Sequence, residues 1–276
     1  MKLSLCNEVL QPMPLAQQCA WAAAAGYDAL EIAPFTLADD PRTLTGAQAA
    51  QVRTAASAHG LAISSLHWLL VKPDGLSLVT DDRAVRQQTL DLLRRLIDFA
   101  AACGAAVLVH GSPRQRSPAP GQSVQDATQR LEAALAELAP HAQAAGVTYC
   151  IEPLSPVETP VINTVAQAAA LVDRIGSPAL RTMLDVSAAS QAESDPVHQV
   201  LARYLASGHI AHVQFNDRNR RGPGQGDTAQ RPVLQVLRQA GYQGWMAVEP
   251  FDYRPDGPGC AAFSAGYLRA LWSSLP

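Results

Sequence analysis

The sequence predicts an α/β fold, a single (β/α)8 TIM barrel spanning residues 1–276. Three observations lead there. Short apolar, β-prone runs alternate eight times with longer Ala/Leu-rich segments of helical period. No two strand candidates follow one another directly, which favours a parallel sheet, and eight parallel strands joined by crossovers of one hand close as a barrel. The first strand is followed by Cys6-Asn7-Glu8-Val9-Leu10-Gln11-Pro12. None of the glycines of a doubly wound nucleotide-binding sheet stands there.

Taken in order, the strand candidates are Leu3–Cys6, Ala29–Ile32, Leu61–Leu66, Ala106–Val109, Val147–Ile151, Leu180–Leu184, Ile210–Phe215 and Trp245–Val248. Between and after them the periodicity predicts helices over Leu15–Ala25, Gly46–His59, Arg83–Cys103, Ser123–Ala145, Thr164–Ile175, Val197–Ala206, Pro232–Ala240 and Ala261–Trp272. Gly26, Gly60, Gly104, Gly146 and Gly241 each fall between a helix and the next strand, where a left-handed residue ends a helix. The Pro/Ser/Arg-rich segment Gly111–Gly121 reads as the loop after the fourth strand, an ordinary surface loop or a cover for the site.

Composition narrows the function classes. Hydrophobic residues make up 48% and charged ones 16%, so a packed core is expected rather than disorder. The formal net charge is −3, which gives no basic face for nucleic acid. Cys6, Cys19, Cys103, Cys150 and Cys260 are odd in number and widely spaced, arguing against disulfides and a thiolate zinc site. Without a signal-peptide pattern after Met1 or a run long enough to span a bilayer, a cytoplasmic protein with no membrane partner is expected.

In such a barrel the active site lies at the carboxyl ends of the strands. The eight apolar runs end at or near Glu8, Glu31, His67, His110, Glu152, Asp185, Gln214 and Glu249. Glu8 and Glu31 could equally cap the helices that follow. Glu152, Asp185, Gln214 and Glu249 end four successive strands, and both glutamates precede proline, which keeps the chain extended through them. Converging carboxylates repel one another, and one divalent cation is the simplest remedy. Three carboxylates and an amide oxygen make a hard donor set, suited to Mn²⁺, Mg²⁺ or Co²⁺.

The same motifs resemble the xylose isomerase-like barrel family, especially the ketose 3-epimerases and hydroxypyruvate isomerase. Ile151-Glu152-Pro153-Leu154 with Glu158-Thr159 and Asn163-Thr164 is similar to the family's fifth-strand stretch. Met183-Leu184-Asp185, His212-Val213-Gln214-Phe215-Asn216-Asp217 and the loop Gly222-Pro223-Gly224-Gln225-Gly226 are similar to strands six and seven, and Gly241–Glu249 to strand eight. The resemblance implies a metal ligand at each of Glu152, Asp185, Gln214 and Glu249. It also implies acid–base roles for the two glutamates, substrate contacts at Glu158 and Arg220, and a homo-oligomer. Two positions depart from the epimerases: Gln214 stands where they carry histidine and where hydroxypyruvate isomerase-like members carry glutamine, and Ala188 replaces a substrate-binding histidine.

The expected reaction is therefore a metal-dependent isomerisation or epimerisation of a small sugar or hydroxy-keto compound, with proton transfer through an enediolate. A lyase or phosphoesterase on the same barrel, or a non-catalytic binding barrel, are the alternatives. The acidic pI and Gln214 count against a phosphoesterase, and the retained glutamates against a binding module. His67 and His110 are expected to line the substrate pocket, and Trp68 to fill the core rather than stack on substrate. His212 is expected to pack on the side of its strand away from Gln214. Arg114, Arg116 and Arg221 are expected to face solvent.

Overall fold

A computed structural model describes residues 1–276. The eight apolar runs form parallel strands: β1 (Leu3–Cys6), β2 (Ala29–Ile32), β3 (Ala62–Leu66), β4 (Val107–His110), β5 (Thr148–Ile151), β6 (Leu180–Asp185), β7 (Ile210–Phe215) and β8 (Met246–Val248). Each pairs with the next, and β8 returns to β1, so the sheet is a closed barrel. Closure leaves no edge strand with unpaired backbone groups.

Alternation along the strands sorts residues to two faces. Val107, Val109, Cys150 and Met183 form a small cluster inside the barrel. Leu108, Tyr149, Ile151 and Leu184 belong to the large core of 67 buried residues between barrel and helices. Glu152 and Asp185 continue the inward positions of Cys150 and Met183. Gln214 stands beside Asp185 in the β6–β7 register and beside Ala247 in the β7–β8 register.

The long helices form where expected. α3 (Arg83–Cys103) begins at Asp82, whose Oδ1 accepts from Ala84 N and Val85 N. It ends at Gly104 with φ +82°. α5 (Val124–Ala145) has the matching Ser123 cap and ends at Gly146 with φ +70°. α1 (Leu15–Ala24), α2 (Gly46–Ser57), α6 (Val165–Ile175), α8 (Val197–Ala206) and α9 (Gln230–Gln239) complete the outer ring with α10 (Gly257–Ser273). α10 starts ahead of the Ala-rich run because Asp256 caps it, accepting from Gly259 N at 2.6 Å, and the first turn Gly-Pro-Gly hides the helical period.

Two short helices escape the periodicity. α4 (Pro113–Arg116) is one turn inside the loop after β4, and α7 (Val186–Ala192) follows β6 without a linker. Neither is long enough to show a repeat. No helix is long and apolar enough to cross a membrane.

Candidate active site

Glu152, Asp185 and Glu249 meet at the carboxyl end of the barrel, with one carboxylate oxygen from each lying within 4.8 Å of the others. All three are buried. Burial, reinforced by Glu249 and Asp185, pushes Glu152 well above the usual carboxylate range. Burial likewise raises Asp185 to about 7 and Glu249 to about 8, even though hydrogen bonds from Ala188 and Asn216, and from His67, oppose the shifts. The trio is short of positive charge.

Each of these side chains is held. Asp185 caps α7 by accepting from Ala188 N at 2.6 Å, and its other oxygen accepts from Asn216 Nδ2 at 2.6 Å. Asn216 also donates to Glu249 O and accepts from Ser187 N, tying β6, β7 and β8 together. Glu152 lies against Gly111, where a Cβ would stand 2.3 Å from its Oε2.

Gln214 belongs to the same mouth through its amide. Its Nε2 donates to Glu31 Oε1 at 2.7 Å. An ionised carboxylate can only accept, so this bond turns the Gln214 oxygen the other way. That oxygen is buried and has no partner. Glu249 is similar: Oε1 accepts from His67 Nδ1 at 2.9 Å and Trp68 Nε1 at 3.0 Å, while Oε2 is buried and unpartnered. One orphaned acceptor belongs to the carboxylate trio and the other to Gln214, the register partner of Asp185, and together they are a donor set that a hard cation satisfies. The residues therefore fit the ion that the sequence implies.

Beneath the carboxylates lies a second polar layer. Glu31 accepts from Ser65 Oγ at 2.6 Å and touches His212 Nε2 at 2.6 Å, an ion-pair contact off the line of a hydrogen bond. Burial alone would raise Glu31, yet the His212 and His67 charges beside it hold it at about 2. Burial would lower His67, but Glu8, Glu31 and Glu249 raise it well above the ordinary imidazole value. His67 bridges Glu249 to Glu8, whose Oε2 is 3.0 Å from Nε2.

Over the carboxylates opens a cavity of about 340 Å³, walled by Trp68, Leu154, Glu158, Arg220 and Phe251 and by residues 111–115. Arg220 Nη1 lies 3.9 Å from Glu158 Oε1, and its guanidinium sits 4.4 Å over the Phe251 ring. Its own backbone is left-handed at φ +68°, and its carbonyl accepts from Phe251 N and Asp252 N. Ala188 lines an adjoining lobe with Asp185, Glu158 and Gln191, adding no polar side-chain atom there.

The remaining expected residues land differently. His67 is fully buried beneath Glu249 and stands outside the cavity wall. His110 shares the face of Leu108, so it points toward the helices, bonding Tyr149 OH at 2.7 Å; burial and Arg116 lower it to about 3. Strand alternation, not closeness to the strand end, decides this. Arg116, expected in solvent, is fully buried with Nε and Nη2 unpartnered, whereas Arg114 is exposed and Arg221 half-exposed beside Asp252. Burial lowers Arg116 to about 10, and Glu152 and Glu158 oppose the shift. His212 is not on the far side from Gln214: residues two apart on a strand share a face, and both reach Glu31. Trp68 lines the cavity as well as packing. Asn216 and Glu31 hold the site together more than their place in the sequence suggests, and the signal for Asn216 is its position two residues beyond Gln214.

A family profile described as xylose isomerase-like TIM barrel matches residues 19–271. A probable ketose 3-epimerase of Synechocystis is 29% identical over 182 residues, 66% of this chain and 62% of the relative's length. A fructoselysine 3-epimerase of Shigella flexneri is 26% identical over 250 residues, covering 87% of this chain and 86% of that protein. Among solved structures, a D-psicose 3-epimerase from Clostridium cellulolyticum superposes with a TM-score of 0.83 over 99% of each chain at 18% identity, a likeness of fold.

Proposed function

The chain belongs to the xylose isomerase-like TIM barrel family, and on that footing we propose that it is a sugar epimerase or isomerase, moving a proton beside the carbonyl of a small ketose or hydroxy-keto substrate. In this reading Glu152, Asp185, Gln214 and Glu249 hold one divalent ion, Mn²⁺, Mg²⁺ or Co²⁺. When bound, that ion supplies Lewis acidity to a carbonyl and its neighbouring hydroxyl. The single observation that carries the reading is the pairing of three crowded carboxylates with the unpartnered oxygens of Gln214 and Glu249.

The chain's own residues do the rest. Glu152 and Glu249 enter the cavity from β5 and β8, and one removes the proton α to the carbonyl while the other returns one. Return to the opposite face of the same carbon is epimerisation, and delivery to the neighbouring carbon is isomerisation. Glu158 and Arg220, at the cavity wall, grip substrate hydroxyls, and a carboxylate on the substrate would pair with Arg220. His67 serves through Glu249 rather than by touching substrate, and His110 faces away from the cavity.

The test is a screen of free ketoses and short hydroxy-keto acids with Mn²⁺, Mg²⁺ and Co²⁺ in D₂O, with exchange followed by NMR. Wild-type protein takes up deuterium at the α carbon, and Glu152→Gln and Glu249→Gln each abolish it. Wild-type exchange in both variants would refute the two-base assignment.

A further inference from the structure

The hold on Glu249 depends on an abnormal piece of backbone. β3 ends at Leu66, and His67 and Trp68 follow it. Consecutive side chains of an extended strand point to opposite faces, yet His67 Nδ1 and Trp68 Nε1 reach the same oxygen, Glu249 Oε1, at 2.9 and 3.0 Å. The turn that allows this is visible: Trp68 has φ +51°, the left-handed region that a bulky side chain rarely enters. Strain of this kind persists only where surrounding contacts over-determine it, and it gathers at functional sites. Here the indole packs between Phe35 and Phe251, with ring centroids 5.8 and 5.9 Å away.

We propose that Trp68 is a positioning residue whose indole N–H, delivered by the left-handed turn, saturates Glu249 Oε1 and so presents Oε2 to the cation and substrate. A residue that merely filled the cavity wall would need neither an N–H nor a strained backbone. The same ring is part of the cavity wall, so the surface that meets the substrate and the group that aims the base are one side chain. This inference rests on the role given to Glu249 under Proposed function.

Trp68→Phe keeps an aromatic side chain at the wall and removes the N–H together with the rest of the five-membered ring. In the full chain, stripped with chelator and retitrated, Mn²⁺ affinity should fall about 10-fold, the scale for losing a hydrogen bond to a metal ligand. With a substrate in hand, kcat should fall about 10–100-fold while KM stays within about threefold. In a Glu249→Ala background the same substitution should leave Mn²⁺ affinity unchanged.

A second measurement leaves Trp68 itself intact. The chain has four tryptophans, and one of its four indole N–H resonances should move in Glu249→Ala while the others stay. Wild-type Mn²⁺ affinity and kcat in Trp68→Phe, or no indole resonance responding to Glu249→Ala, would overturn the proposal. Failure of wild-type protein to bind any divalent ion would instead sink the proposed function, and the indole resonances would still decide the grip.

Discussion

Replacing Gly111 by alanine tests the site with one methyl group. Gly111 lies outside the left-handed region that favours glycine, so the main effect of alanine is the added carbon. That carbon would stand 2.3 Å from Glu152 Oε2, 3.4 Å from Glu152 Cδ and 4.0 Å from Leu154 Cδ2. Real contacts of this type essentially never fall below 3.0 Å, so the carboxylate has to retreat by roughly 0.7 Å, close to the ~1 Å misplacement that costs on the order of 10²-fold in rate. Glu152 lines the open cavity, so its flexible carboxylate can give way, but only by leaving its place beside Asp185 and Glu249.

The variant should therefore lose about 100-fold in α-carbon exchange, and bind Mn²⁺ more weakly by titration. Stability should fall only by the ~1–3 kcal/mol usual for overpacking a buried site. Combining it with Glu152→Ala supplies the control: the clash partner is gone, so the stability penalty disappears. Wild-type exchange and Mn²⁺ affinity in Gly111→Ala would show that the position of Glu152 does not matter to the chemistry, and the reasoning would fail.

Three further outcomes follow from the same geometry. Gln214→Leu roughly keeps the side-chain volume but removes the unpartnered oxygen together with the amide donor to Glu31, so Mn²⁺ affinity should drop at least about 10-fold in calorimetry, with the fold retained by circular dichroism. Arg220→Ala should raise KM roughly 10-fold and lower kcat less, since it removes a wall contact and no acid or base; equal losses in both parameters would count against it. Glu31 is held at about 2, below its unfolded value near 4.3, so it stabilises the fold above that value and the benefit vanishes as pH falls toward 2. The gap in urea midpoint between wild type and Glu31→Gln should therefore be widest near neutrality and close between about pH 4.5 and 2.

How far the site could be read from the sequence follows from which residues obey a period. Glu152 and Asp185 continue the inward alternation of Cys150 and Met183, and Pro153 and Pro250 keep the chain extended past the two glutamates. His110 stands at a strand end, which suggests the pocket, but counting from Val107 and Val109 puts it on the other face. The same count applied to His212 and Gln214 gives one shared face. Arg116 carried no such signal, since a one-turn helix in a Pro/Ser/Arg-rich loop is too short to show which side is buried.

Glu31 shows why charge matters more than position. It is as buried as Asp185 and Glu249, on the same barrel interior, yet it sits at about 2 while they rise to about 7 and 8. Burial acts on all three in the same direction, so the difference lies in their partners: Glu31 has His212 and His67 against it, whereas Asp185 is answered chiefly by neutral donors and Glu249 shares His67 with Glu8 and Glu31. The lower layer has imidazoles of the chain itself against its carboxylate, and the upper one is left short. A cation above the carboxylates would do for that layer what the two histidines do beneath it. If Glu31→Gln cost the protein its Mn²⁺ by freeing the Gln214 amide to rotate, while the Glu152, Asp185 and Glu249 side chains stayed in place, the two layers would be one coupled device; an unchanged affinity would make the lower layer structural only.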